Sequence, residues 1–473
     1  MHWIDFVIFA VYLAFMLGIG FYFMRKNKSA DDYFVGGRKM SSLHIGLSVV
    51  ATDVGGGFSI GLGGLGFIMG LSGTWLLFTD LIGAWLSAVL LIPKVSELTA
   101  KFNFLSFPQF LNNLYNGKVA LIAGIISAIG YLGFTSSQIL AGAKLASATF
   151  PDISLQTALI IMGIIAVVYT SIGGIKAVIY TDTYQWMLLM GGLVFIALPV
   201  CYFGIGGYDT LKAMLPANFF DLTAVSWQQI VNWFVTIVPI WFIGMTLYQR
   251  IYASRDKKTA QRAWFIAGLF EYPIMAFTGV ILGLFAKAAY LNGIIGSEIE
   301  GALDPEMGLP ILLRTILPVG LTGIILSAYF SAIMSTADSC LMAASGNVIT
   351  DIIKKHESLK IMSLSQITTL FLGVFALLIA WKVPNVLELM LHSYSFMVSG
   401  LFIPVLAGIF LKNRSSVGAL WSMIVGGSVT LGLILSGINL PFGLDANIFG
   451  ISYAAITYLF FHFVRKKDAF VKA

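Results

Sequence analysis

From Ile4 to Val464 the chain is a near-continuous succession of apolar runs close to 20 residues long, separated by short polar stretches. A helix rises about 1.5 Å per residue, so a run of that length crosses the roughly 30 Å of hydrocarbon in a bilayer. Helices suit that medium because each satisfies its own backbone donors and acceptors. Of the 473 residues, 58% are hydrophobic and only 11% are charged, against about 25% charged in soluble domains. The expected fold class is an all-α polytopic membrane protein, with residues 1–473 forming a single transmembrane domain. No polar stretch exceeds about 25 residues, so no appended soluble domain is expected.

Thirteen spans are expected, near residues 4–24, 43–69, 72–92, 119–149, 154–173, 177–203, 227–248, 261–290, 319–350, 361–381, 386–411, 416–437 and 447–464. With the N-terminus outside, one side collects Arg25, Lys26, Lys28, Arg250, Arg255, Lys257, Lys258, Arg262, Lys354, Lys355, Lys360 and the tail Arg465, Lys466 and Lys467. Only Lys212, Lys287, Arg314 and Lys382 fall on the other side, and Lys144 lies within a span. Basic residues gather in cytoplasmic loops, so a C-terminus in the cytoplasm and a multi-pass protein of the cell membrane are expected. The same placement accounts for the net charge of +6 without a nucleic-acid partner. The first apolar run has its basic cluster after it and no small-residue cleavage site, so it reads as a span and not a signal peptide. The acidic loop 291–318, with Glu298, Glu300, Asp304 and Glu306, reads as a solvated loop, with a lid or a cation-attracting vestibule as the alternative. Lys144 is expected to snorkel or to pair with a nearby acid.

The second span is anomalous. It carries Asp53 followed by Val54 and the run Gly55-Gly56-Gly57. Each glycine costs about 1 kcal/mol in a helix interior, and a charged Asp at mid-bilayer about 2.5–3.5 kcal/mol. Broken backbone at that depth survives only against protein or a water-filled cavity. Five spans later, the 227–248 run holds Pro239 followed by Trp241. With the first span set aside, the interrupted helices are thus the first in each of two antiparallel groups of five. Matched interruptions in inverted halves mark the binding site of a secondary transporter. The expected repeats are 43–203 and 227–411, with 4–24 as an extra N-terminal helix and 416–464 as two C-terminal helices.

Within spans lie Asp53, Asp80, Asp182, Glu271, Asp338 and Glu388. Intramembrane carboxylates are functional candidates by default. Asp182 and Asp338 sit among hydroxyls, in Thr181-Asp182-Thr183 and Ser335-Thr336-Ala337-Asp338-Ser339, and such oxygen-rich clusters suit a hard cation. Ala332, Ser335 and Thr336 share a helical face; back-bonding of the hydroxyls to their own helix is the plain alternative. Asp53 and Asp80 are placed for a solute or for coupling, whereas Glu271 and Glu388 read as structural. Trp241 could stack on a solute or cover a cation.

The chain resembles the sodium:solute symporter family. The resemblance runs through Tyr33-Phe34-Val35-Gly36-Gly37-Arg38, Gly46-Leu47-Ser48, Ala51-Thr52, Gly173-Gly174, Thr181-Asp182 and Tyr248-Gln249-Arg250. It is strongest at Ser327-Ala328 and Met334-Ser335-Thr336-Ala337-Asp338-Ser339. It implies a leucine-transporter-like 5+5 inverted repeat, with one helix before and two after the ten-helix core, and Na+-coupled uptake by alternating access. Carried over, the principal sodium site uses the carbonyls of Ala51, Val54 and Ala332 and the hydroxyls of Ser335 and Thr336. A second site, present in some members, falls on Asp182, Ser335, Asp338 and Ser339. Substrate or coupling positions fall on Asp53, Gly56, Phe58, Asp80, Phe134, Gln138 and Trp241. The glycines resemble the choline branch and Asp53 the proline branch. Phe58 and Leu77 argue against a sugar, and the absence of an arginine near Phe134-Ser136-Ser137-Gln138 argues against a sialic acid.

The reading is Na+ symport of a small zwitterionic or cationic solute, an amino acid or a quaternary amine, with the lipid bilayer as the surrounding partner and no cofactor beyond the coupling ion. The alternatives are a monocarboxylate, pantothenate-like acid, polyol or sugar as solute, protons in place of Na+, and a membrane sensor on a transporter fold. No enzyme is expected: His2, His44, His356, His392 and His462 have no metal-ligand spacing, and Cys201 and Cys340 lie in separate spans.

Overall fold

A computed structural model describes residues 2–26, 35–170, 175–296, 302–353 and 360–471. Tyr33, Phe34, Gly173, Gly174, Glu298, Glu300, Lys354, Lys355 and His356 lie outside the described residues. Among the described residues the regular elements are helical, apart from one isolated bridge between Met40 and Ser254.

The principal helices are α1 (Trp3–Lys26), α2 (Ser42–Asp53), α3 (Gly55–Met69), α4 (Trp75–Leu90), α5 (Gly117–Thr149), α6 (Leu155–Thr170), α7 (Ile175–Gly192), α8 (Trp227–Ile243), α9 (Met245–Ala253), α10 (Lys257–Leu269), α11 (Ala276–Leu291), α12 (Pro305–Ile316), α13 (Leu321–Gly346), α14 (Lys360–Ala380), α15 (Val386–Phe410), α16 (Ser416–Ser436) and α17 (Ala446–Val471). Eight helical stretches among the described residues are long and apolar enough to cross a membrane, and the bent pair α8/α9 makes nine. Three shorter apolar helices, Trp3–Met16, Leu155–Val168 and Gln366–Ala380, coincide with further expected spans.

α13 forms the axis of the molecule. Its apolar window is 94% buried, against 22% for α17, and it packs against α1, α5, α7 and α14. α2 lies between α7 and α10, α3 between α11 and α12, and α8 between α4 and α15. Association within lipid relies on close packing, because the tails are as apolar as the side chains. Hence α3 and α11 meet through glycine: a methyl at Gly66 would overlap the Val280 backbone, and one at Gly283 would overlap the Gly63 backbone.

Candidate functional site

The interruption after Asp53 is a break between two helices. α2 ends on Asp53, Val54 is a turn, and α3 starts at Gly55 with φ +24°. That backbone favours glycine. A Cβ at Gly55 would also overlap the Thr336 side chain, so α13 rests directly on the break. The second interruption differs from the expected one. Helix α8 continues through Pro239, and the chain opens at Gly244 (φ −64°, ψ 117°), with a bend of 42° before α9. Proline forfeits one donor while its own φ stays helical. The backbone freed past Gly244 is met by side chains: the Thr246 N–H donates to the Tyr131 hydroxyl at 3.1 Å, and that hydroxyl lies 3.0 Å from Thr246 Oγ1.

Three of the residues expected to hold sodium converge. Thr336 Oγ1 is 2.9 Å from the Ala51 carbonyl and 3.1 Å from that of Ala332. Val54 lies at the turn itself, buried. Ser335 is adjacent, but its hydroxyl donates to Asp182 Oδ1.

The expected second cation set surrounds a residue assigned above to a cytoplasmic loop. Arg250 is fully buried, and its guanidinium donates to Ser48 Oγ (3.0 Å), the Thr246 carbonyl (3.1 Å), Asp182 Oδ2 (3.2 Å), Ser339 Oγ (3.2 Å) and Thr52 Oγ1. Ser48 also donates to Asp182 Oδ2, at 2.5 Å. Asp182 and Ser339 therefore touch a fixed cation. Asp338 lies beside Thr170, and its Oδ1 has no hydrogen-bond partner among the described residues. The planar fork of arginine suits such a junction, since five donors leave in fixed directions.

The expected solute residues also gather. Trp241 Nε1 donates to Asp80 Oδ1 at 2.9 Å, and the Tyr394 hydroxyl donates to Asp53 Oδ1 at 3.3 Å. Asp53 and Asp80 are both buried and interact electrostatically, and their Oδ2 atoms find no donor among the described residues. Phe134 meets the Tyr394 ring edge-on at 5.0 Å, and Gln138, one helical turn further along α5, is buried on the same face. Trp241 is packed edge-on against Trp264 at 6.3 Å. The side chains of Gly56, Gly57 and Phe58 lie outside the described residues. Tyr394 was missed from the sequence; among 18 tyrosines, nothing local to it signals the contact with Asp53.

At the Met69 end of α3 a cavity of about 710 Å³ is lined by residues including Gly61, Trp233, Glu388, His392 and Asp445. It stops about two helical turns from Asp53. In its wall Glu306 departs from the reading of the acidic loop as solvated. Lys144, fully buried, pairs with Glu306 (2.6 Å) and Asp304 (2.7 Å), and Glu306 also accepts from the N–H groups of Val386 (2.9 Å) and Leu387 (3.0 Å) at the start of α15. Glu388 accepts from Asn385 Nδ2 at 3.0 Å.

A helix broken at Val54 beside the buried Asp53, together with a second broken at Gly244, is the arrangement of a membrane transporter of the secondary type. The chain belongs to the sodium:solute symporter family, which matches residues 33–426. Among its relatives are the high-affinity proline transporter PutP of Bacillus subtilis, 29% identical over 88% of this chain and 89% of that one, and a sodium/proline symporter of Staphylococcus aureus, 25% identical over 100% and 95%. In fold it is similar to a Na+-coupled sialic acid symporter in an outward-open state (TM-score 0.81, 23% identity, 98% of each chain) and to the nucleobase-cation-symport-1 transporter Mhp1 (TM-score 0.59, 14% identity, 92% and 94%). Family and relatives are transporters and not enzymes.

Proposed function

We propose that this protein drives uptake of a small solute bearing a cationic nitrogen, an amino acid or an amine, with inward Na+ flow. The observation that carries the reading is the junction at Gly55. On one side the oxygens of Ala51, Ala332 and Thr336 gather within about a hydrogen bond's length. On the other, Asp80 bonds Trp241 and interacts electrostatically with Asp53, and neither has an ion pair to Lys or Arg among the described residues. Relatives named as proline transporters support a nitrogenous solute. The architecture we assign is the 5+5 inverted repeat over 43–203 and 227–411, with about thirteen spans, the N-terminus outside and the 710 Å³ cavity opening to the exterior.

The ion and the solute share one moving part. Sodium held by Ala51, Val54, Ala332, Ser335 and Thr336 would bind α2 and the break to α13 and order the turn that presents Asp53. Solute then binds more tightly, and by reciprocity solute strengthens sodium binding. A second cation at Asp182, Ser335, Asp338 and Ser339 would require Arg250 to withdraw, since like charges repel in a medium of low dielectric.

The test is Ser335→Ala combined with Thr336→Ala in proteoliposomes and in sodium-dependent thermal shift. We expect sodium stimulation of solute binding and uptake to vanish. Undiminished sodium-dependent uptake would refute the site.

A further inference from the structure

A third interruption lies between α10 and α11. Over Phe270–Met275 the helix widens, Tyr272 leaves helical geometry (φ −135°, ψ 124°) and Pro273 withholds a donor. Glu271 stands in this stretch. It is 0% exposed, and neither of its carboxylate oxygens has a hydrogen-bond partner among the described residues. Phe270 packs edge-on against Trp186 at 4.7 Å, and Tyr272 against Phe78 at 5.2 Å. Phe78 precedes Asp80 by two residues on α4, and Glu271 interacts electrostatically with both Asp53 and Asp80. Three interrupted or neighbouring helices thus deliver three carboxylates to one buried region, and four of their oxygens, Asp53 Oδ2, Asp80 Oδ2 and both of Glu271, have no donor among the described residues.

The same chain shows what a structural buried glutamate looks like. Glu306 meets Lys144 and two backbone N–H groups. Glu271 meets none, although leaving a buried carboxylate unpaired is strongly disfavoured. An ionised Glu271 therefore needs a donor from beyond the described residues. A single inorganic ion does not fit: a metal needs its oxygens within about 2.6 Å of one point, and no three acidic, His or Cys side chains among the described residues converge in that way. A zwitterion fits poorly as well, since its carboxylate would need a cation and the nearby Arg250 already spends five hydrogen bonds on protein groups.

Resting on the amine reading above, we infer that Glu271 is a specificity-determining residue and that the solute is an organic cation with two separated N–H donor ends, a diamine or a guanidinium-bearing amine. One end engages Asp53 and Asp80 beneath Trp241, and the other engages Glu271.

The experiment measures thermal stabilisation of the purified full-length protein in Na+ by 1,4-diaminobutane, agmatine, choline, proline, lactate and glucose. The Glu271→Gln and Glu271→Asp variants are run in parallel, and their sodium-induced shift serves as the folding control. We expect the diamine or agmatine to stabilise the wild type, Glu271→Gln to weaken that ligand at least tenfold, and Glu271→Asp to weaken it less. Equal affinity in Glu271→Gln would overturn the inference, and so would a wild type to which neither the diamine nor agmatine binds. Binding of proline or choline in that last case would leave the amine reading standing. Binding of lactate or glucose alone would remove both. Should neither variant fold, the wild-type selectivity decides.

Discussion

The Lys144 cluster permits a quantitative test of how the wall of the cavity is held. Replacing Lys144 by Met keeps the stem's volume but leaves Glu306 and Asp304 without their cation. Breaking a buried pair by removing one partner costs about 3–5 kcal/mol. Asp304 is one-third exposed and can turn to water, whereas Glu306 is 9% exposed and cannot, so most of that cost falls on Glu306. Glu306→Gln should be milder, about 1.5–3 kcal/mol: the single amide oxygen can still accept from Val386 or from Leu387, which bond different oxygens of the carboxylate, and Lys144 keeps Asp304. Glu306→Ala also strips the start of α15 of its acceptor, worth about 1 kcal/mol more. The pair Lys144→Met with Glu306→Gln removes both charges and should recover at least 1 kcal/mol relative to the sum of the singles. The assay is reversible unfolding in detergent followed by tryptophan fluorescence. If Lys144→Met costs under about 1 kcal/mol, or the two single effects simply add, the buried pair is not what secures this wall.

Two other perturbations address the half of the molecule that holds Arg250. Arg250→Lys supplies a single-point charge where three nitrogens of a planar fork reach five acceptors, and should destabilise by about 3 kcal/mol and blunt the sodium-induced thermal shift; a melting curve identical to the wild type would refute the junction. Asp256 caps α10, accepting from Thr259 N at 2.8 Å, and that backbone N–H, aided by the Thr259 hydroxyl, holds its carboxyl below the usual range. Because the folded value is the lower one, the cap's contribution is present above the unfolded carboxylate's range and is lost as pH falls through the folded value; Asp256→Ala should remove about 1 kcal/mol at neutral pH and flatten this acid limb, as pH-dependent melting would reveal.

Much of the fold was legible because the bilayer imposes it. A 20-residue apolar run has few options, and a triple glycine after Asp53 announces a break whose position the structure places at Val54. The second break was misplaced onto Pro239. A proline marks a lost hydrogen bond but leaves the helix free to continue, whereas Gly244 shows its role only once Tyr131, more than a hundred residues away, satisfies the backbone beyond it. Arg250 ends the second broken helix, and next to Arg255, Lys257 and Lys258 it looks like another cytoplasmic charge. Its burial follows from Ser48, Thr52, Asp182 and Ser339, which come from three other helices and have no signature near position 250. The Glu306 contacts with Lys144, Val386 and Leu387 were hidden for the same reason. Local chemistry singled out Asp53, Asp80, Thr336 and Trp241 as candidates, while their contacts with Tyr394, Ala51 and one another are tertiary.

The Arg250 junction also bears on how the molecule can deform. A single side chain on α9 is joined at once to α2 through Ser48 and Thr52, to α7 through Asp182 and to α13 through Ser339. Sliding any one of these helices past the others by more than about 1 Å stretches several hydrogen bonds together beyond their useful range. Carrying all four as one block stretches none. The guanidinium therefore works like a spoked hub: it stiffens shear at its own end of the molecule and leaves collective rotation soft.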